Sequence, residues 1–130
     1  MSTKTVFIIE DDSAMRALFS ALISKEPGLL IETAETGAEA LEKVMTIDPA
    51  VIVLDMMLPD MNGLEILKRI AEQKGGTPPV LVVTAASTTV TPDEVIRGSF
   101  SGGIYEIFRK PINQAQFVNA IRECTMDFDI

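Results

Sequence analysis

Four apolar residues, three of them β-branched, run straight into a carboxylate at Val51-Ile52-Val53-Leu54-Asp55. A run this short, apolar at every position instead of alternating, reads as a strand covered on both faces, as in a parallel sheet. Asp55 then stands where the strand ends and the backbone turns. In open α/β sheets, ligands sit outside the carboxyl ends of the strands, at the point where strand order reverses. Pro59 cannot extend a ladder, and Gly63 accepts backbone angles that other residues avoid, so the loop between them and Asp55 is shaped by its sequence. Taken alone, Asp55 reads first as a cap or turn residue. The ends of the other strands change that reading.

In chain order, Val6-Phe7-Ile8-Ile9 is a first buried strand ending in Glu10-Asp11-Asp12, with Ser13 placed to cap a helix that turns Met15, Leu18, Phe19, Leu22 and Ile23 inward. Pro27-Gly28 stops that helix. Residues 29–34 form a second strand, more polar because of Glu32 and Thr33, which suits a sheet edge. Thr36-Gly37 leads into a helix over 38–47 with Ala40, Leu41, Val44 and Met45 inward. After the Asp55 strand, Leu64, Ile66, Leu67 and Ile70 mark a third amphipathic helix, ended by Lys74-Gly75-Gly76. Val80-Leu81-Val82-Val83 is a fourth strand ending at Thr84. Pro92 suits the first turn of a short helix running to about Phe100. Residues 104–108 form a fifth strand that ends at Arg109-Lys110-Pro111, and Ile112 or Asn113 opens a last helix with Phe117, Val118 and Ile121 inward. Five alternations of strand and helix predict a parallel sheet with right-handed crossovers and helices on both faces. No repeat or linker interrupts it, so residues 1–130 are expected to be one domain.

Composition removes several functions. The net charge of −8 makes direct nucleic-acid binding a poor expectation, since phosphates attract lysine and arginine. There is no histidine, which excludes a histidine-based triad, an imidazole base or a histidine–metal site. One cysteine, Cys124, excludes an internal disulfide framework and reads as a small apolar residue of the last helix. No signal peptide or membrane-length apolar run is seen, and the expected location is the cytoplasm, without membrane contact.

The strand ends carry Glu10-Asp11-Asp12, Asp55, Thr84 and Lys110, and a parallel sheet brings such ends to one edge. Clustered carboxylates repel one another unless a counter-charge is supplied. Lys110 is one source, a flexible point cation suited to an oxygen anion, and a hard divalent cation is another. Carboxylates with a backbone carbonyl and water are magnesium-type ligands.

With these residues in place, the chain resembles the receiver domain of bacterial two-component response regulators over nearly its whole length. The stretches that carry the resemblance are 7–12, 53–63, Val83-Thr84-Ala85 and Lys110-Pro111. The resemblance implies a flavodoxin-like sheet of order 2-1-3-4-5. It also implies that Asp55 accepts a phosphoryl group from the phosphohistidine of a sensor histidine kinase or phosphotransfer protein. Glu10 and Asp11 match the acidic pair that holds Mg2+ together with Asp55, and Met57 the position whose backbone carbonyl is a ligand. Thr84 matches the hydroxyl that contacts the phosphoryl group, and Lys110 the lysine that pairs with it. A cis bond before Pro111 is usual in the family. Signalling is expected through the face built by the family's fourth helix, fifth strand and fifth helix, toward a downstream protein partner or a homodimer. Nothing after Arg122 reads as an output domain.

Two departures concern the switch. The aromatic residue usual three positions before the lysine is replaced by Ile107, and strand alternation puts Tyr105 on Ile107's side with Phe108 opposite. The segment 84–103 is also longer than usual, which points to ordering of that segment, led by Thr84, as the switch in place of aromatic rotation. Apart from phosphorylation and dephosphorylation of its own Asp55, the chain is not expected to be an enzyme. The competing readings are a Mg2+-dependent phosphatase with an aspartyl nucleophile and a pseudo-receiver that only binds partners. The first usually carries an acid two residues after the nucleophile, where Met57 stands; the second would not need Glu10, Asp11, Asp55, Thr84 and Lys110 together.

Overall fold

The computed structural model describes residues 3–85 and 104–126. Strands β1 (Lys4–Ile9), β2 (Leu29–Ala34), β3 (Val51–Asp55), β4 (Val80–Thr84) and β5 (Ile104–Arg109) form one sheet of order β2-β1-β3-β4-β5, and every pairing is parallel. This is the flavodoxin-like arrangement, with the order reversing between β1 and β3. The polar second strand does lie at an edge.

Helices α1 (Ser13–Ser24), α2 (Gly37–Val44), α3 (Gly63–Lys74) and the C-terminal helix (Gln114–Thr125) cover both faces. Alternate residues of the central strands divide the core in two. Phe7, Ile9, Ile52, Leu54, Val80 and Val82 pack with Ala40, Val44, Ile66, Leu67 and Ile70 of α2 and α3. Val6, Ile8, Val51, Val53, Leu81 and Val83 pack with Phe19 and Ile23 of α1 and Phe117 and Ile121 of the C-terminal helix. Because successive strand residues point to opposite faces, strands inside such a sandwich must be apolar throughout, which is why β3 and β4 carry no alternation. Each large side chain so buried contributes about 1.5–3 kcal/mol.

Local differences from expectation have local causes. Asp12, not Ser13, caps α1: its Oδ1 accepts from the backbone N–H groups of Ala14 and Met15. The second helix ends at Val44 instead of running to Ile47, because the Lys74 ammonium donates to the carbonyls of Val44 and Ile47 and closes that end. Met45 is therefore beyond the helix and exposed, not inward. Gly75, with φ +78°, ends α3 as expected of a glycine in the left-handed region. The fifth strand departs most. A register shift between Val80 and Leu81 pairs Val80 with Ile104 and Leu81 with Glu106, so Tyr105 is an extra residue that breaks alternation. Ile107 packs against the α2–α3 cluster and Phe108 lies in the opposite one, as expected. Tyr105 does not share Ile107's setting; its hydroxyl donates to Glu123 Oε1 of the C-terminal helix at 2.7 Å. The short helix expected from Pro92 to Phe100 and the switch assigned to 84–103 fall on residues outside those described, apart from Thr84 and Ala85.

Candidate phosphoacceptor and metal site

The strand register brings the site together. Ile9 pairs with Leu54, so Glu10 and Asp55 follow at the same height on adjacent strands; Asp55 pairs with Val83, and Thr84 with Arg109, which sets Thr84 and Lys110 just beyond. One carboxylate oxygen each from Glu10, Asp11 and Asp55 lie within 4.8 Å of one another. Glu10 and Asp55 are buried and Asp11 is exposed, so the cluster opens to solvent on one side.

Lys110 reaches into this cluster, its Nζ 3.3 Å from Glu10 Oε1 and 3.6 Å from Asp55 Oδ2. The Lys110–Pro111 peptide is cis. Burial pushes the Glu10 carboxyl up to about 7, helped by its close contact with Asp55 and that group's charge; the N–H of Asp12 and the Lys110 ammonium work the other way. Lys110 is held above the usual lysine range: burial, its largest single influence, works downward, but the charges of Asp55 and Glu10 together outweigh it. Two buried polar atoms accept or donate no hydrogen bond within the described residues, Glu10 Oε1 and Thr84 Oγ1. Buried polar atoms are ordinarily paired, so a Thr84 hydroxyl with no partner among the described residues and a Glu10 oxygen met only by the Lys110 ammonium leave bonding capacity unused at this edge. The donors are all hard oxygens, the set that suits a magnesium ion and not a soft metal.

Met57 contributes its backbone, whose N–H donates to Asp55 Oδ1 at 3.1 Å; its side chain points away and is 63% exposed. The loop that carries it is closed by Gly63, whose N–H donates to the Met56 carbonyl at 2.9 Å. A Cβ at Gly63 would lie 2.7 Å from Met56 Sδ and 3.1 Å from Met56 Cα, which explains glycine there without any unusual backbone angle. Glu10, Asp11, Asp55, Thr84 and Lys110 are thus assembled at one edge, while Ile107 packs in the core and Tyr105 pairs with Glu123.

The family model for the response regulator receiver domain matches residues 6–122. The chain belongs to that family. This receiver domain is 38% identical over 112 residues to a protein-glutamate methylesterase/protein-glutamine glutaminase of Geobacillus kaustophilus, covering 85% of this chain and 31% of that protein. It is 34% identical over 117 residues to the transcriptional regulatory protein TrcR of Mycobacterium tuberculosis, covering 90% of this chain and 43% of that one. The chain therefore spans less than half the length of these curated relatives, and the activities in their names belong to the longer proteins. Among solved structures, a CheY-like response regulator receiver domain protein of Methanospirillum hungatei superposes with a TM-score of 0.79 at 26% identity, covering 94% of this chain and 93% of that one. The receiver domain of Francisella response regulator 1452, at 22% identity and a TM-score of 0.77, covers 94% of this chain and 96% of that one and shares the fold. No described helix is long and apolar enough to cross a membrane.

Two residues at the site's border are not among those singled out from the sequence. Arg16, one turn into α1, donates from one guanidinium nitrogen to the carbonyls of Glu10 and Asp11, each at 2.9 Å. Asp60 accepts from the N–H groups of Gly37 and Ala38 at 2.8 and 2.9 Å, capping α2 from another loop. A basic residue one turn after an acidic strand end is a hint for the first; the second is a contact across 23 residues that only folding creates.

Proposed function

We propose that this receiver domain, as one unit over residues 1–130, takes a phosphoryl group on Asp55 from a sensor histidine kinase or phosphotransfer protein in the cytoplasm and passes the signal to a downstream protein or a second copy of itself. The observation that carries this is the joint placement of Asp55, Glu10 and Asp11 within ligand distance of one another, with Lys110 across both buried carboxylates. Glu10, Asp11 and Asp55, with the backbone at Met57, would hold Mg2+. Bound there, Mg2+ supplies positive charge for the oxygens of the transferring group.

Asp55 is the nucleophile, and as a carboxylate it needs no base to activate it, so the lack of histidine is no obstacle. The Met57 N–H holds Oδ1, which fixes the carboxylate's rotation about its own axis. Lys110 neutralises charge developing on the equatorial oxygens, and the charges of Asp55 and Glu10 favour its cationic form. The Thr84 hydroxyl, buried and without a hydrogen-bond partner among the described residues, is a donor held ready for a phosphoryl oxygen. The product is an acyl phosphate on Asp55, removed by water.

Incubation with acetyl phosphate and Mg2+, followed by intact mass, tests the reading. Wild type should gain one phosphoryl group, and Asp55→Asn and Asp55→Ala should gain none. Undiminished labelling of both variants sinks the assignment, and turnover of phosphomonoesters without a retained adduct would identify a phosphatase instead.

A further inference from the structure

Two loops carry the acidic site, and both are fastened to a third segment that bears no site residue. That segment is the turn between β2 and α2, residues 34–38. On one side, the Glu10 N–H donates to the Ala34 carbonyl at 3.0 Å, closing the end of β1 against β2. On the other, Asp60 of the β3–α3 loop accepts from the N–H groups of Gly37 and Ala38. Gly37 leaves room for this junction; a Cβ there would lie 2.4 Å from Met61 Cγ.

Arg16 joins this turn to the acidic pair. One of its terminal nitrogens donates to the carbonyls of both Glu10 and Asp11, and the other lies 2.8 Å from Glu35 Oε1. The Arg16 side chain is only 18% exposed, although α1 is a surface helix, so the guanidinium is held in place by these partners. Asp11 has no other bond in the described residues that would fix its backbone: its neighbour Asp12 is committed to capping α1, and its side chain is exposed. The planar fork of an arginine is what such a three-way junction requires, since a point cation cannot face two carbonyls and a carboxylate in fixed directions.

We propose that Arg16 is a positioning residue for the metal-holding pair Glu10–Asp11, fixing the backbone of that pair against the β2–α2 turn so that both carboxylates face the Asp55 cluster. The inference rests on the proposed reading of that cluster as a magnesium site. Arg16 touches neither metal nor phosphoryl group. Its effect is exerted through the backbone of two ligands, the kind of outer contact whose loss typically weakens metal binding about 10–100-fold.

The test is a calorimetric titration of the full chain with Mg2+ alone, for wild type, Arg16→Met and Arg16→Lys, with circular dichroism melts to confirm that each is folded at the titration temperature. Arg16→Met keeps the aliphatic stem and should weaken Mg2+ binding about 10-fold; Arg16→Lys, which restores the charge without the fork, should fall between it and wild type. In labelling with acetyl phosphate, the Mg2+ concentration for half-maximal rate should rise by the same factor while the maximal rate stays near that of wild type. A folded Arg16→Met with wild-type Mg2+ affinity overturns the inference, as does a fall in maximal rate at unchanged half-saturation. If Arg16→Met does not fold, Arg16→Lys decides by the same measure. Failure of wild type itself to bind Mg2+ overturns the metal reading of the cluster and this inference with it.

Discussion

Glu10 and Asp60 are two carboxylates at the same edge of the sheet, and their surroundings give them opposite properties. Asp60 lies in solvent and accepts two backbone N–H bonds at the start of α2, which hold its carboxyl below the usual aspartate range. Its charge is fully used by the fold. Glu10 is 1% exposed, lies against Asp55, and has an oxygen that the Lys110 ammonium approaches to 3.3 Å without any hydrogen bond from the described residues. Its carboxyl is pushed up to about 7. A charge that the fold satisfies holds structure, whereas buried acids left short of partners mark a place where something else is to bind.

The largest expected effect removes the one cation between the buried acids. Lys110→Met should slow labelling of Asp55 by acetyl phosphate about 100-fold, the usual loss when one group stabilising transition-state charge is deleted. Intact-mass time courses check this, and an unchanged rate would make Lys110 a structural partner like Lys74, which closes the end of α2. Next comes the metal. At a hundred times its dissociation constant, Mg2+ should stabilise the wild-type fold by about 2.7 kcal/mol, and Asp11→Ala should lose most of that gain. Denaturant melts with and without Mg2+ measure it; equal shifts in both proteins would remove Asp11 from the site.

The comparison itself is sharpened by pH, in the metal-free protein. Glu10 has a folded value above its ordinary 4.5, so the stability it contributes is complete below about 4.5 and is lost as pH rises through about 7. Glu10→Gln should remove that decline, and a decline of wild-type size in the variant would place the titration elsewhere. Asp60 has the opposite sign. Its folded value lies below 3.8, so its contribution is present above that pH and is lost as the solution is acidified through the lower folded value. The smallest effect is therefore expected from Asp60→Ala: a modest fall in melting temperature at neutral pH that disappears in acid. A loss that persists in acid would show that packing, not the two N–H bonds, is what Asp60 supplies.

The order and type of the described elements were determined by sequence alone, because strand and helix differ in the period of their apolar residues and that period is local. So was the grouping of Glu10, Asp11, Asp55, Thr84 and Lys110, since parallel strands necessarily end on one edge. What sequence could not decide depends on contacts between distant segments. Met45 turns outward because Lys74, 29 positions on, closes the end of α2 before it. Tyr105 leaves Ile107's side because β5 must slip by one residue to pair with β4. Arg16 and Asp60 are ordinary surface charges when read along the chain, and apart from Glu35 beside Arg16 their partners are backbone groups, which are identical at every residue and so leave little mark in the sequence. Only the tertiary structure, by fixing which N–H and C=O groups lie within reach, decides which of nineteen acidic side chains hold the fold and which are left open to a ligand.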